Sequence, residues 1–341
     1  MTQNSTHPMV SVVIPHYGGQ DILSECLTSL KDCSYPKFEI IVVDNASPDD
    51  SIQYIKTNFP EVNLIQSEYN RGFAGGCNFG AQHAQGEYIL ILNNDTIQEP
   101  DWIDHLVKML ESNSNISAVQ PKIKNYDKRD YFDHAGACGG FIDKYCFPFA
   151  RGRIFHTVEK DEGQYDDACQ IFWASGTAFL TRKSIFDKLG GFDEILFAHM
   201  EEIDYHWKCQ ILGHEIWVEP KSVVYHHGAV TLPVVSPRKT YLNYRNSLLL
   251  LLTNYPKGTI LKFIIPRLFL EFISLLKEIF TFKWLHAFAI LRSWMWIDFH
   301  LGVIIKRRKQ IESLARLNLI YSKSIVKNYF INGIKKFSAL D

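Results

Sequence analysis

The sequence predicts an α/β protein: a mostly parallel central sheet with helices on both faces, followed by a helical C-terminal region. Three observations predict it. Short apolar runs alternate with segments of helical period from residue 10 to residue 119. The connections between them are short, so successive strands run parallel and the helices cover both faces of the sheet. Charge is also divided unevenly. Of the 36 Lys and Arg and 37 Asp and Glu, 15 basic and 5 acidic residues follow Tyr255, a net of +10. The preceding residues carry a net of −11, which points to an acidic catalytic or metal-binding body and a basic tail that faces something anionic.

The elements follow in order. Val10-Ser11-Val12-Val13-Ile14, closed by Pro15, reads as a buried strand, and 22–30 has helical spacing. A second strand over 38–43 precedes a helix that starts near Ser47-Pro48-Asp49-Asp50 and runs to about Phe59. A short third strand covers 62–65, and 74–84 is a helix of small residues. The fourth strand is 88–92, a helix spans 101–110, and a fifth strand spans 116–119. Residues 122–170 show no period. A strand at 178–181 leads into a helix over 183–189, stopped by Gly190-Gly191. Helices are expected at 201–212 and 241–252, with a strand-like 222–224 between them. Ligands of such sheets bind beyond the carboxyl ends of the strands, so the loops that begin at Pro15, Asp44, Gln66 and Asn93 should hold the chemistry. The expected organisation is a disordered 1–9, a catalytic body over 10–240 and a helical, basic region over 241–341.

Composition excludes several classes. With 46% apolar and 21% charged residues the chain is neither disordered nor low in complexity. The seven cysteines include no C-x-x-C pair, so neither a zinc ribbon nor a redox motif is visible, and reduced thiols are expected. The first eight residues lack the basic-then-apolar pattern of a secretory signal. Residues 259–305 are apolar and aromatic but broken by charges, short of the roughly 18 residues a spanning helix needs. Amphipathic helices on a membrane surface fit better, with Trp284, Trp294 and Trp296 near the headgroups and Lys306-Arg307-Arg308-Lys309 facing anionic lipid. The plainer reading is a helical subdomain packed on the body. No nucleic-acid partner is expected.

Five motifs could carry chemistry. Asp44 and Asn45 leave the end of a buried strand, placed for a nucleobase or ribose, or simply for a turn. Asn93-Asn94-Asp95 also ends a strand, where Asp95 can ligate a divalent cation and the amides can bond a ribose. The run from Asn70 to Gly80 (Asn70-Arg71-Gly72-Phe73-Ala74-Gly75-Gly76) lets backbone approach a phosphate, but its glycines do not follow the dinucleotide spacing. Acids cluster at Asp193-Glu194 and Glu201-Glu202-Ile203-Asp204, suited to a helix start or to a general base. His226 follows the strand-like segment and could complete a metal site.

In this order the motifs resemble family 2 glycosyltransferases, inverting nucleotide-sugar enzymes with the GT-A fold. The resemblance covers about 10–231 and adds Trp173-Ala174-Ser175-Gly176-Thr177 and Gly190-Gly191-Phe192-Asp193-Glu194 to the motifs above. It is similar above all to the bacterial rhamnosyltransferase-type branch, which builds surface polysaccharides on lipid-linked acceptors. The resemblance implies that Asp44 binds the base in a pocket lined by Pro15 and Tyr17. It places Asn45, Arg71, Gly72, Asn93 and Asn94 near the nucleotide and sugar. Asp95 would ligate Mg²⁺ or Mn²⁺, with His226 as a further metal or diphosphate contact. Trp173, Ser175 and Gly176 would line the acceptor side, with Asp193 nearby. The family's base falls on Glu202.

Two departures stand out. Asn93 replaces the first carboxylate of a D-x-D, and Glu202 replaces the usual aspartate, which leaves Glu201 or Asp204 as alternative bases. The implied donor is dTDP-rhamnose or a UDP-sugar, the acceptor a glycan or polyprenyl-diphosphate-linked sugar. The implied location is the cytoplasmic face of the cell membrane. A non-catalytic nucleotide-sugar or glycan-binding module and a nicotinamide oxidoreductase remain the alternatives.

Overall fold

The structure, a computed structural model, describes residues 7–228, 236–311 and 320–340. Its first part runs β1 (Val10–His16), α1 (Gln20–Lys31), β2 (Phe38–Asp44), α2 (Ser51–Asn58), β3 (Asn63–Gln66), α3 (Gly72–Ala81), β4 (Tyr88–Leu92), β5 (Thr96–Gln98), α4 (Trp102–Ser112) and β6 (Ile116–Asn125). Four short strands follow: β7 (Gly140–Ile142), β8 (Pro148–Ala150), β9 (Arg153–Ile154) and β10 (Thr157–Val158). They form a small antiparallel sheet of their own. The chain then returns to the main sheet with β11 (Cys169–Ile171) and β12 (Ala178–Arg182). It continues through α5 (Lys183–Leu189), α6 (Glu201–Ile211) and β13 (Glu215–His226). The C-terminal helices are α7 (Pro237–Asn254), α8 (Lys257–Phe280), α9 (Trp284–Phe299), α10 (Leu301–Ile311) and α11 (Ile325–Phe330).

The main sheet has the order β11-β13-β6-β12-β4-β1-β2-β3, with β5 also paired to β13. Pairs β4-β1, β1-β2, β2-β3 and β6-β13 are parallel, as the alternation predicts. β12 is antiparallel to both its neighbours, and β11 and β5 are antiparallel to β13. The central strands are buried on both faces, which explains their unbroken apolar runs. α1, α2 and α4 pack on one face, while α3, α5 and α6 cover the other. α3 sits so close that a Cβ at Gly80 would stand 2.4 Å from Cγ1 of Val13, which is why that helix is built of small residues. From β1 the chain moves one way to β2 and β3, and β4 joins on β1's other side. The crevice between the ends of β1 and β4 is therefore the topological switch point where such sheets take their ligands.

Several expectations change in detail. The first six residues of the expected disordered segment lie outside the described residues, but residues 7–9 are ordered. His7 packs edge-on against Tyr35, whose hydroxyl donates to the Pro8 carbonyl at 2.6 Å. Pro15 does not end β1, because a parallel strand tolerates a missing donor near its end. The strand read at 222–224 is the end of the twelve-residue β13, whose alternating burial hides it from an apolar-run criterion. The boundary expected at residue 240 falls inside α7.

That helix binds the C-terminal region to the body. Leu248, Leu249, Leu250 and Leu251 share one core with Met200, Ile203 and Trp207 of the body and with Ile297 and Ile304. Part of the basic tail is interior. Arg307 is buried and pairs with both Asp193 and Asp204, the latter at 2.9 Å. Arg267 and Glu271 form a buried pair at 2.7 Å, and Arg267 also donates to Ser247 and to the carbonyls of Tyr145 and Cys146. The fully buried Asp143 accepts backbone N–H bonds from Tyr145, Phe147 and Ile325. Burial raises its pKa to about 6 despite those bonds.

Removing one partner of a buried ion pair strands the other's charge. Arg307→Met is expected to lower unfolding stability by roughly 3 kcal/mol, read from urea melts. An unchanged midpoint would show that Lys208 and Asn254 alone satisfy Asp204.

Candidate functional site

Beyond the ends of β1 and β4 lies a cleft of about 320 Å³. Pro15 and Tyr17 leave β1 on one side of it, and Asn93, Asn94 and Asp95 leave β4. Asn45 and Gly72 line a second wall, Ser175 and Gly176 a third, and Glu201, Glu202 and His226 close it. The turns after five separate elements thus converge, and the cleft gathers most of the residues singled out in the sequence.

Asp95 and His226 face each other across the floor. Asp95 Oδ1 stands 3.1 Å from His226 Nε2, and both atoms are buried with no other hydrogen-bond partner. The other ring nitrogen, Nδ1, lies 2.9 Å from Oδ1 of Asp133, which also accepts the Ala135 N–H. Burial disfavours charge on His226, but the two carboxylates outweigh it and raise its pKa to about 10. Asp95 is held below its ordinary value because the imidazolium beside it offsets burial.

Glu201 and Glu202 open α6, and their carboxyls act on each other electrostatically. Burial raises both carboxyls. Glu201 rises well above its ordinary value, since Glu202's charge adds to desolvation. Glu202 is pushed up to about 7. Raised together, the two carboxyls titrate as a pair, and burial favours a proton held between them near neutrality. Each retains a buried Oε2 with no hydrogen-bond partner.

The backbone that delivers this pair is strained. Phe197, His199 and Met200 all have left-handed φ, 64°, 68° and 74°, a conformation that costs side-chain-bearing residues free energy and collects at functional sites. α7 holds it in place. The Asn246 amide donates to the carbonyls of Leu196, Ala198 and His199, at 2.9, 3.0 and 2.6 Å. Arg245 donates to those of Ile195 and Leu196. From below, Gly72 at φ 72° admits the turn: a Cβ there would lie 2.5 Å from the Phe197 carbonyl oxygen.

Five expected site residues lie outside the cleft lining. Asp44 sits one strand over, its Oδ1 accepting the Ser47 N–H at 2.8 Å. Arg71 donates to Ser67 and lies over the rings of Tyr69 and Phe79, each at 4.7 Å. Trp173, expected on the acceptor side, has its ring buried under Gly140, and its Nε1 donates to the Phe141 carbonyl at 2.9 Å. Asp193 caps the short turn over 194–196 and pairs with Arg307, outside the cleft lining. Asp204 is removed as an alternative base, because Asn254, Lys208 and Arg307 hold its carboxylate among the C-terminal helices.

The cleft also brings in residues that no sequence motif singled out. His16 Nδ1 accepts from Asn94 at 2.9 Å while its Nε2 meets Ser51 Oγ at 2.9 Å, a relay that fixes the Asn94 side chain. His199, Arg238 and Lys239 line the far end. Asp133 lies in the aperiodic segment where no pattern marked it. A search for carboxylates that could serve as the outer partner of His226 was the one available signal.

The family model described as "Glycosyl transferase family 2" matches residues 11–190. The chain belongs to glycosyl transferase family 2. An uncharacterised glycosyltransferase of Haemophilus influenzae is 30% identical over 115 residues, 33% of this chain and 36% of that protein. The N-acetylglucosaminyl-diphospho-decaprenol L-rhamnosyltransferase of Mycobacterium tuberculosis is 25% identical over 238 residues, 65% of this chain and 76% of that one. The match to the first therefore spans about a third of its length. Among solved structures, a mannosyltransferase of Pyrobaculum calidifontis in complex with GDP-Man and Mn²⁺ superposes with a TM-score of 0.52 at 15% identity, over 90% of this chain and 84% of that chain. This likeness concerns the fold, and it is the GT-A architecture the sequence implied.

In this family 2 chain, Asn246→Ala leaves the Ala198 and His199 carbonyls of a strained turn without their donor, while Arg245 still reaches Leu196. Each unmet group costs about 1–3 kcal/mol, so the melting temperature is expected to fall by several degrees and turnover by more than tenfold. Wild-type turnover with a lowered melting temperature would separate the clamp from catalysis.

Proposed function

We propose that the protein is an inverting glycosyltransferase that moves a sugar from a nucleoside diphosphate to a hydroxyl of a lipid-linked glycan during surface polysaccharide synthesis. The observation that carries the reading is the shared cleft of Asp95, His226 and the Glu201–Glu202 pair. Glu202 takes the proton of the acceptor hydroxyl. The oxygen attacks the anomeric carbon from the side opposite the nucleotide, the bond to the diphosphate breaks, and the configuration inverts. No covalent sugar–enzyme intermediate is required.

The residues on the floor fit a divalent cation. Asp95 Oδ1 and His226 Nε2 are buried and face only each other, 3.1 Å apart, and a carboxylate with an imidazole suits Mn²⁺ or Mg²⁺. Asp133 behind Nδ1 would fix the ring with Nε2 free to ligate. Among the described residues no three His, Cys, Asp or Glu side chains form a cage, so the remaining ligands would be substrate phosphate and water. The cation would supply neutralisation of the charge on the departing diphosphate. The mycobacterial relative's name favours a rhamnosyl donor and a diphospho-polyprenol acceptor, and the archaeal mannosyltransferase's Mn²⁺ favours a metal.

A membrane surface is the proposed location of the acceptor. Among the described residues no single helix is long and apolar enough to cross a bilayer. α8 and α9 nevertheless expose Leu261, Ile265, Phe269, Phe288 and Met295, each more than half exposed. Lys277, Lys283 and Arg292 punctuate the same helices, the pattern of an interfacial element over anionic lipid. Phe269→Gln with Phe288→Gln should reduce flotation with anionic vesicles at least tenfold and leave the melting temperature unchanged, since both rings are exposed. Equal flotation of the double variant would reject the surface as the membrane contact.

The base is tested by Glu202→Gln. Transfer should fall by about 10²–10⁴-fold with donor binding retained. Wild-type transfer should rise with pH through about 7 as Glu202 loses its proton. A carboxyl raised in the folded state loses its contribution to stability as pH climbs through that value, so the amide variant should melt no lower than wild type at pH 8. Retained turnover in the variant, or a flat pH profile, would remove Glu202 from the role.

A further inference from the structure

We propose that Asp49, Ser51 and His16 form a positioning relay that locks the Asn94 side chain with its amide oxygen turned into the cleft, as an acceptor for a hydroxyl of the bound nucleotide sugar. The inference rests on the glycosyltransferase reading and deepens it, by naming what decides which atom of a cleft residue the substrate meets. The four side chains come from different elements. Asp49 is exposed in the loop ahead of α2, Ser51 opens that helix, His16 ends β1 and Asn94 follows β4. Ser51, His16 and Asn94 are buried, and His16 and Asn94 line the cleft.

Donors and acceptors along this chain of contacts leave one arrangement. Asp49 Oδ2 accepts the Gly19 N–H at 2.7 Å, and its Oδ1 meets the Ser51 hydroxyl at 2.6 Å. Burial works against the Asp49 charge, but the bonds from Ser51 and Gly19 outweigh it and hold the carboxyl below its ordinary value. A carboxylate only accepts, so Ser51 gives its one proton to Asp49. At the 2.9 Å contact between Ser51 Oγ and His16 Nε2, the ring must therefore donate. Burial lowers the pKa of His16 against the pull of the Asp49 and Asp44 charges. A neutral imidazole with its proton on Nε2 has a bare Nδ1. Asn94 Nδ2 lies 2.9 Å from that Nδ1 and donates to it. The amide nitrogen is thus tied to the ring, and the amide oxygen points the other way. That oxygen bonds to no described residue and is not sealed off, in a side chain that lines the cleft.

An amide turned over would set its oxygen against the bare Nδ1, two acceptors with no proton between them, which is costly where water is excluded. An acceptor-only oxygen takes O–H and N–H donors and turns away phosphate and carboxylate. A nucleotide sugar offers it hydroxyls, those of the nucleoside and those of the sugar to be transferred. A surface carboxylate thereby decides, three contacts away, what the cleft shows its ligand.

The test has two arms, both on the full-length protein. In proton–nitrogen correlation spectra of isotope-labelled histidines near neutral pH, with His16 assigned by its absence from His16→Gln, the ring is expected to be neutral and protonated on Nε2. A ring protonated on Nδ1, or on both nitrogens, overturns the relay. Calorimetric titrations with Mn²⁺ then compare wild type, Ser51→Ala, Asn94→Ala and the double variant against UDP, dTDP, UDP-glucose and dTDP-rhamnose. Ser51→Ala keeps its backbone N–H on Asp49 Oδ1 and loses only the hydroxyl. It is expected to raise Kd about threefold to tenfold, the worth of one hydrogen bond. The double variant should bind no worse than Asn94→Ala alone, because both changes act through one amide. A loss seen already with the diphosphates assigns a nucleoside hydroxyl to Asn94; a loss confined to the sugar nucleotides assigns a hydroxyl of the transferred sugar. Equal Kd for Ser51→Ala and wild type with every ligand overturns the relay. So do penalties that multiply in the double variant, the result a merely structural serine would give. If wild type binds none of the four ligands, the glycosyltransferase reading fails even with His16 in the expected tautomer; if it binds them and Ser51→Ala binds as well, only the relay fails.

Discussion

The grip of α7 on the backbone ahead of α6 is the constraint on which the site depends. The Asn246 NH₂ lies within hydrogen-bond reach of three carbonyls, one shared with Arg245, of a turn whose residues 197, 199 and 200 have left-handed backbone. The turn then fixes where α6 begins, and with it the direction of Glu201 and Glu202. Gly72 plays the reciprocal part by leaving room for the Phe197 carbonyl. A helix some 45 residues downstream and a glycine some 125 upstream thus shape the same few atoms.

The floor of the cleft obeys a different logic. Asp95 and His226 come from strands paired edge to edge, since Thr96 of β5 lies opposite His226 in the register. Sheet pairing, not loop conformation, brings the two side chains together, and Asp133 orients the ring from outside. The Asn at position 93 stays in the lining and its backbone accepts the Thr96 hydroxyl at 2.8 Å. It shapes the turn that presents Asp95 without adding charge to it.

Much of the frame was legible because the central strands are buried on both faces and so read as continuous apolar runs, bounded by Pro15, Asp44 and Asn93. What escaped did so for physical reasons. β13 alternates in burial, β5 and the small sheet of β7 to β10 are too short to show a period, and Asp133 lies in that aperiodic stretch. The acids at 193 and 204 look catalytic in sequence because they stand among Glu194, Glu201 and Glu202. Their partner, Arg307, is more than a hundred residues away, and local pattern carries no sign of it. Trp173, placed on the acceptor side by the family resemblance alone, has its ring roofed by Gly140.

The pairing of Arg307 with both Asp193 and Asp204 reaches past stability. Those aspartates flank the strained turn on either side, so the C-terminal helices and the backbone that leads into the cleft share one set of charges. Chimeras that graft these helices onto another catalytic body would have to carry Asp193, Asp204, Arg245 and Asn246 along as one inherited block.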